Sequence, residues 1–140
     1  MTGALPGTIE VGLELPGATF PITRETLIRY AGASGDFNVI HWNERVATDV
    51  GLPNVIAHGM LTMGLAIRVV TDWLGDPSRL LEYGCRFTRP VVVPDDGVGA
   101  VLEVSARVTA VEDDRAVITL SASSGGTTVL GKATAAVRID

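Results

Sequence analysis

The sequence predicts a single α+β domain in which one long apolar helix is wrapped by an antiparallel sheet. Two observations carry that expectation. Ahead of Pro77 the segment His58–Leu74, HGMLTMGLAIRVVTDWL, carries Met60, Leu61, Met63, Leu65, Ala66 and Ile67, apolar or small on every face of a helix, the pattern of a helix buried all round. After Pro77 the hydrophobic period drops from about 3.6 to about 2, the mark of sheet. The 140 residues suffice for one real core and not for two, so residues 1–140 are expected to be one domain.

The elements follow in chain order. The first dozen residues read as an arm. ATFPIT, from Ala18, reads as a short strand. Thr23 is placed to cap a helix running from Arg24 through Tyr30 and ending near Gly32, because a Thr hydroxyl accepts from an otherwise orphaned N–H of the first turn. Asn43 is expected to cap a second, short helix, ERVATDV, closed by Gly51 and Pro53. Between the two lies SGDFNVIH, Ser34–His41, a loop. Gly75 and Pro77 end the long helix.

Beyond it, Leu81, Tyr83, Cys85 and Phe87 alternate with Glu82, Gly84, Arg86 and Thr88, and the run passes through Arg89 and Pro90 into VVV. Leu102–Val108, Ala116–Ala122 and Ala133–Ile139 alternate in the same way, with turns at EDD and at Gly125–Gly126. Four such strands predict an antiparallel meander with one oily face, closed over the helix.

Composition narrows the function. A hydrophobic fraction of 46% against 19% charged residues excludes a solvated disordered chain, and the mean hydropathy of +0.33 points to apolar surface reserved for a partner. A net charge of −5 with no cluster of lysines or arginines argues against nucleic acid and against a basic membrane patch. The uncharged apolar stretch Ala57–Ile67 is well short of the roughly 20 residues that span a bilayer. The lone Cys85 cannot form an intrachain disulfide, and MTGALPGTIEVG lacks the charged and apolar regions of a signal peptide, so a cytoplasmic protein is expected.

Asp36 and His41 are the first chemical candidates. A histidine takes or gives a proton near neutrality and a carboxylate held beside it can perform the complementary step. On spacing alone a plainer account holds: Asp36 makes an Asx turn with Asn38 and His41 precedes a helix. Gly59 is the second candidate. Glycine in the first turn of a buried helix lets a ligand reach unpaired N–H groups at the positive end of the helix dipole, although tight packing against a strand explains it as well. His58 reads as a structural or capping residue. Asp36, His41 and His58 match no metal-ligand spacing, and Arg86, Arg89 and Arg107 read as solvated strand residues.

The stretch YAGASGDFNVIHWNERVATDVGLPNVIAHGML resembles the hydratase-2 motif of the MaoC-like family: an aromatic residue, Ser-Gly-Asp-x-Asn-Pro-x-His, then an Ala-His-Gly-Met helix start. IHW, AHGMLTMG, VTDWLGDP and EYGCRFT further resemble the β subunits of mycobacterial-type (3R)-hydroxyacyl-ACP dehydratases, over nearly the whole chain. The resemblance implies the hot-dog fold, a long helix wrapped by an antiparallel sheet. It implies Asp36 and His41 as the acid/base pair and the Gly59 backbone N–H as the oxyanion donor. Val39 stands where the motif has proline, a substitution expected to loosen the loop.

The implied reaction is reversible dehydration of a (3R)-3-hydroxyacyl thioester, on acyl carrier protein or coenzyme A, to the trans-2-enoyl thioester, as in fatty-acid or mycolic-acid-type elongation. It needs neither cofactor nor metal. The implied assembly is a heterodimer with a related hot-dog chain lacking the Asp/His pair, with a homodimer when the chain is alone. Alternatives are a homodimeric (R)-specific enoyl-CoA hydratase, an acyl-thioesterase, or a non-catalytic acyl-binding subunit, since fold by itself does not choose among them.

Overall fold

A computed structural model describes residues 5–140. It contains β1 (Ala18–Ile22), α1 (Arg24–Ser34), α2 (Glu44–Asp49), α3 (Gly59–Leu74), β2 (Leu80–Phe87), β3 (Ala100–Glu112), β4 (Arg115–Ser124) and β5 (Thr127–Arg138), with short 3₁₀ turns at Val39–His41 and Pro77–Arg79. The five strands form one antiparallel sheet in the order β1-β3-β4-β5-β2. That sheet curves around α3, as expected for the hot-dog fold.

The expected four-strand meander holds only for β3, β4 and β5. β2 does not pair with β3; it pairs with β5, Tyr83 opposite Ala135 and Phe87 opposite Leu130, at the far edge. The reason lies in the connection. Residues 88–99 carry Pro90 and Pro94, cannot make a tight hairpin, and instead cross beneath the molecule, burying Val91 and Val93 on the way. At the opposite edge β1 pairs with β3, and the arm extends that cover. Gly12 N–H donates to Val108 O (2.9 Å) and Leu15 N–H to Ala106 O (2.9 Å). The first four residues of the arm lie outside the described residues.

Local chemistry sets the helix limits. Thr23 Oγ1 accepts from Thr26 N–H (3.2 Å), and Thr23 N–H donates to Thr26 Oγ1 (3.0 Å), a reciprocal capping box. α1 then runs past Gly32, where the sequence reading ended it, to Gly35, whose φ of 77° is the left-handed conformation that glycine adopts without a Cβ clash. Three extra residues therefore carry the chain to the site before the loop begins. Asn43 caps α2 through Val46 N–H (3.1 Å), as expected.

α3 buries Leu61, Ala66, Val69, Val70 and Leu74 against Leu102, Ile118, Ala135 and Val137 of the sheet. Each fully buried aliphatic side chain contributes about 1.5–3 kcal/mol, so this seam contributes substantially to stability. The helix is not buried all round: Met60 is 60% exposed and Gly64 is exposed. Apolar character on that face serves a surface that one chain leaves open. Leu81 and Phe87 of the edge strand β2 are likewise exposed.

Candidate active site

The Ser34–His41 loop is a chain of short-range hydrogen bonds. Asp36 N–H donates to Ser34 Oγ (3.1 Å), Asn38 N–H to Asp36 Oδ1 (3.1 Å) and Ile40 N–H to Asn38 Oδ1 (3.3 Å). The indole N–H of Trp42 donates to Phe37 O (3.0 Å). The plain Asx turn weighed for Asp36 therefore exists, and it uses one carboxylate oxygen while leaving the other. Val39 occupies the first position of the 3₁₀ turn, and its carbonyl accepts from the N–H groups of Trp42 (3.2 Å) and Asn43 (2.9 Å). The loop is thus held by bonds that proline would not add to.

His41 is buried at 7% exposure. Its Nδ1 lies 2.7 Å from Ile56 O, and because a carbonyl oxygen only accepts, Nδ1 carries the proton and Nε2 a lone pair. Ile56 is itself fixed: its N–H donates to Ile40 O (3.2 Å), and it bridges to Val92. His41 Nε2 lies 4.0 Å from Asp36 Oδ2. That is ion-pair range but too long for a hydrogen bond.

His58 neither caps α3 nor stands apart. Its ring stacks on His41 with centroids 3.7 Å apart and planes at 22°, the edge of Tyr30 meets it at 4.7 Å, and its Nε2 is 3.1 Å from the main-chain oxygen of Asp36. Burial lowers the His58 pKa from its ordinary 6.5, with the neighbouring His41 acting the same way; the Asp36 carbonyl bond and carboxylate oppose them. Ligand atoms of Asp36, His41 and His58 all lie within 4.8 Å of one another. Stacked rings, however, point their lone pairs along nearly parallel planes rather than at a common centre, which a tetrahedral metal site does not tolerate.

Gly59 opens α3. The first intrahelical donor is Thr62 N–H, to His58 O (3.1 Å), so the N–H groups of Gly59 and the two residues after it have no partner within the helix. A Cβ on Gly59 would meet the Phe87 ring at 3.2 Å. The packing reading of this glycine is therefore seen in its contact with β2, and Gly59 also lines a cavity.

A cavity of about 320 Å³ joins these groups. His41, Gly59, Thr62, Phe87, Arg89 and Leu130 are among its walls. Asp36 is not: its carboxylate stands beside His41, its side chain 50% exposed. Arg89 lines the cavity while remaining exposed, as expected of a solvated residue. Sequence reasoning missed the place of Phe87, which reads as part of an oily strand face yet lines the cavity against Gly59, and the stacking of His58, read as structural or capping, on His41, because both are contacts with residues distant in the chain. Arg86 and Arg107 are exposed, as expected.

Comparison with known proteins places the chain in a family. A profile described as "MaoC like domain" fits residues 12–125. The 3-hydroxyacyl-thioester dehydratase X of Mycobacterium tuberculosis is 39% identical over 79 residues, 56% of this chain and 27% of that protein. A solved structure described as a MaoC-like dehydratase superposes with a TM-score of 0.90 at 37% identity, over 94% of this chain and 41% of that one. The chain therefore spans well under half the length of these relatives. The HadBC (3R-hydroxyacyl-ACP dehydratase) complex of M. tuberculosis, TM-score 0.64 at 20% identity over 86% of this chain and 90% of that one, shares the fold. With its wrapped helix, its profile match and its Asp-x-Asn-x-x-His loop over the start of α3, the chain belongs to the MaoC-like family of hot-dog domains.

Proposed function

We propose that this single domain catalyses the reversible dehydration of a (3R)-3-hydroxyacyl thioester to the trans-2-enoyl thioester. The observation that supports the reading is that His41 and Gly59 line one cavity, with His41 Nδ1 held by Ile56 O and its Nε2 4.0 Å from the Asp36 carboxylate. His41 accepts the C2 proton. The imidazolium so formed is stabilised by Asp36, and the enolate oxygen that builds on the thioester meets the Gly59 N–H at the positive end of α3. The proton then leaves with the 3-hydroxyl as water, so no external acid, base, metal or cofactor enters the balance. Hydration is the reverse.

The relatives named above support the substrate class, since two of them are described as hydroxyacyl dehydratases. Acyl carrier protein is the preferred carrier, with coenzyme A as the alternative. We assign the protein to the cytoplasm on its lone Cys85 and its composition; no helix among the described residues is long and apolar enough to cross a membrane.

The functional unit is a heterodimer with a related hot-dog chain that lacks the Asp/His pair. β2 is one of the two outer strands of the sheet, with exposed Leu81 and Phe87, and Met60 of α3 is exposed as well, an edge that a second sheet would cover. The structure described as a MaoC-like dehydratase is more than twice as long as the part this chain covers, room for a second unit of this size. A second copy of this chain fits the same edge, which is the homodimeric (R)-specific enoyl-CoA hydratase reading. Ultraviolet detection of enoyl-thioester hydration with short and long acyl chains, with and without candidate partner chains, tests the reaction. Release of free thiol instead would point to a thioesterase, and binding without turnover to a non-catalytic subunit.

A further inference from the structure

His58 is 1% exposed, sits where a helix cap is expected, and caps nothing. Its contacts run to the two residues of the acid/base pair. Its Nε2–H donates to the Asp36 carbonyl (3.1 Å), and its ring lies flat against that of His41 (3.7 Å). Its Nδ1 is buried with no hydrogen-bond partner. We propose that His58 is a positioning residue that holds Asp36 and His41 at their working separation, through the main chain of one and the ring face of the other.

The inference rests on the reading that Asp36 and His41 are the acid/base pair. Asp36 is in the exposed part of a loop, and its side chain is tied only to Asn38 in that same loop. The His58 bond joins the main chain of that loop to the start of α3. A backbone carbonyl needs an N–H donor, which fixes the His58 tautomer at Nε2–H and leaves Nδ1 as the bare nitrogen. Protonating Nδ1 would create a buried N–H with no acceptor and a cation face to face with His41. The groups facing His58 are Tyr30 from α1 and Asp36 and His41 from the loop and its 3₁₀ turn; burial is the largest influence on its pKa and lowers it. A neutral plate beneath His41 lets that ring become an imidazolium during turnover without a second cation against it.

Three substitutions separate the two contacts. His58→Gln keeps an N–H donor and loses the ring, His58→Phe keeps a ring and loses the donor, and His58→Leu loses both. The expected result for folded protein is a fall in kcat of about 10-fold or more for His58→Leu, with KM within about twofold, and partial recovery in His58→Gln and His58→Phe. A folded His58→Leu enzyme with native kcat would overturn the proposal. So would losses confined to KM, or losses in all three variants that merely track their melting temperatures. A readout without substrate separates this idea from the proposed reaction: ¹⁵N-edited spectra of the imidazoles in the wild-type protein. The spectra should give the neutral His58 ring as the Nε2–H tautomer. An Nδ1–H tautomer for His58 would sink the positioning role even in an active enzyme. If the wild type hydrates nothing, the reaction assignment fails and these spectra still decide the geometry.

Discussion

The imidazole of His41 is anchored to the main chain of Ile56, Nδ1 to oxygen 2.7 Å, across a gap of fifteen residues in sequence. That bond spends one ring nitrogen on structure so that the other is free for chemistry. His41→Asn places an amide N–H where Nδ1–H was and removes the proton acceptor. The variant should therefore fold with a near-native melting temperature while kcat falls by about 10²-fold or more, the usual cost of losing a general base. Thermal unfolding by circular dichroism beside steady-state kinetics measures both. A large drop in stability would mean that the ring, and not the anchor, was holding the site together.

Gly59 and Phe87 make a separable pair. A Cβ at 59 would come within 3.2 Å of the Phe87 ring, but Phe87 is 55% exposed and can swing. Gly59→Ala should be tolerated in folding and reduce activity. Adding Phe87→Ala relieves the contact. If the double variant stays impaired, the methyl group obstructs the thioester at the helix start; if it recovers fully, the glycine was there for packing.

Acid should destabilise the fold through His58. Its pKa is lowered from 6.5 in the folded state, so the unfolded chain binds the proton first, and stability rises with pH wherever the unfolded state holds more protons. The melting temperature is accordingly expected to fall as pH drops below about 6.5 and to level off beneath the folded pKa. In His58→Gln that step should vanish. Calorimetry between about pH 4 and 8 measures it, and an unchanged slope in the variant would assign it to another group.

The edge strand gives an assembly test. Leu81 is 42% exposed on β2, beside the apolar face of α3 that one chain leaves uncovered. Leu81→Lys should weaken pairing of this chain with a second hot-dog chain, whether copy or partner, at least tenfold in Kd, because it buries a charge at the seam. Native mass spectrometry at graded concentrations reads the shift, and an unaffected dimer would place the interface elsewhere.

Much of the fold was legible because it is written locally. The alternation at Leu102–Val108 and Ala116–Ala122 needs no long-range knowledge, and Thr23, Asn43 and Gly75 mark helix ends by their own chemistry. The position of β2 was not legible, since nothing in Leu81–Phe87 says which strand it will pair with; only the length and prolines of residues 88–99 argue against a hairpin. Exposure of Met60 was hidden for a related reason. An apolar helix face reads the same whether its own sheet or a second chain covers it. At the candidate site, Asp36, His41 and Gly59 stand out through the motif, whereas Ile56, His58 and Phe87 meet them through contacts that spacing does not encode.

The most direct test of the central claim is the ultraviolet assay of trans-2-enoyl thioester hydration, run on the wild type and on Asp36→Asn and His41→Asn, with chiral analysis of the 3-hydroxyacyl product. The account predicts a (3R) product and a loss of about 10²-fold or more in kcat for each substitution. A folded Asp36→Asn or His41→Asn protein that hydrates at the wild-type rate, or a (3S) product, would contradict it.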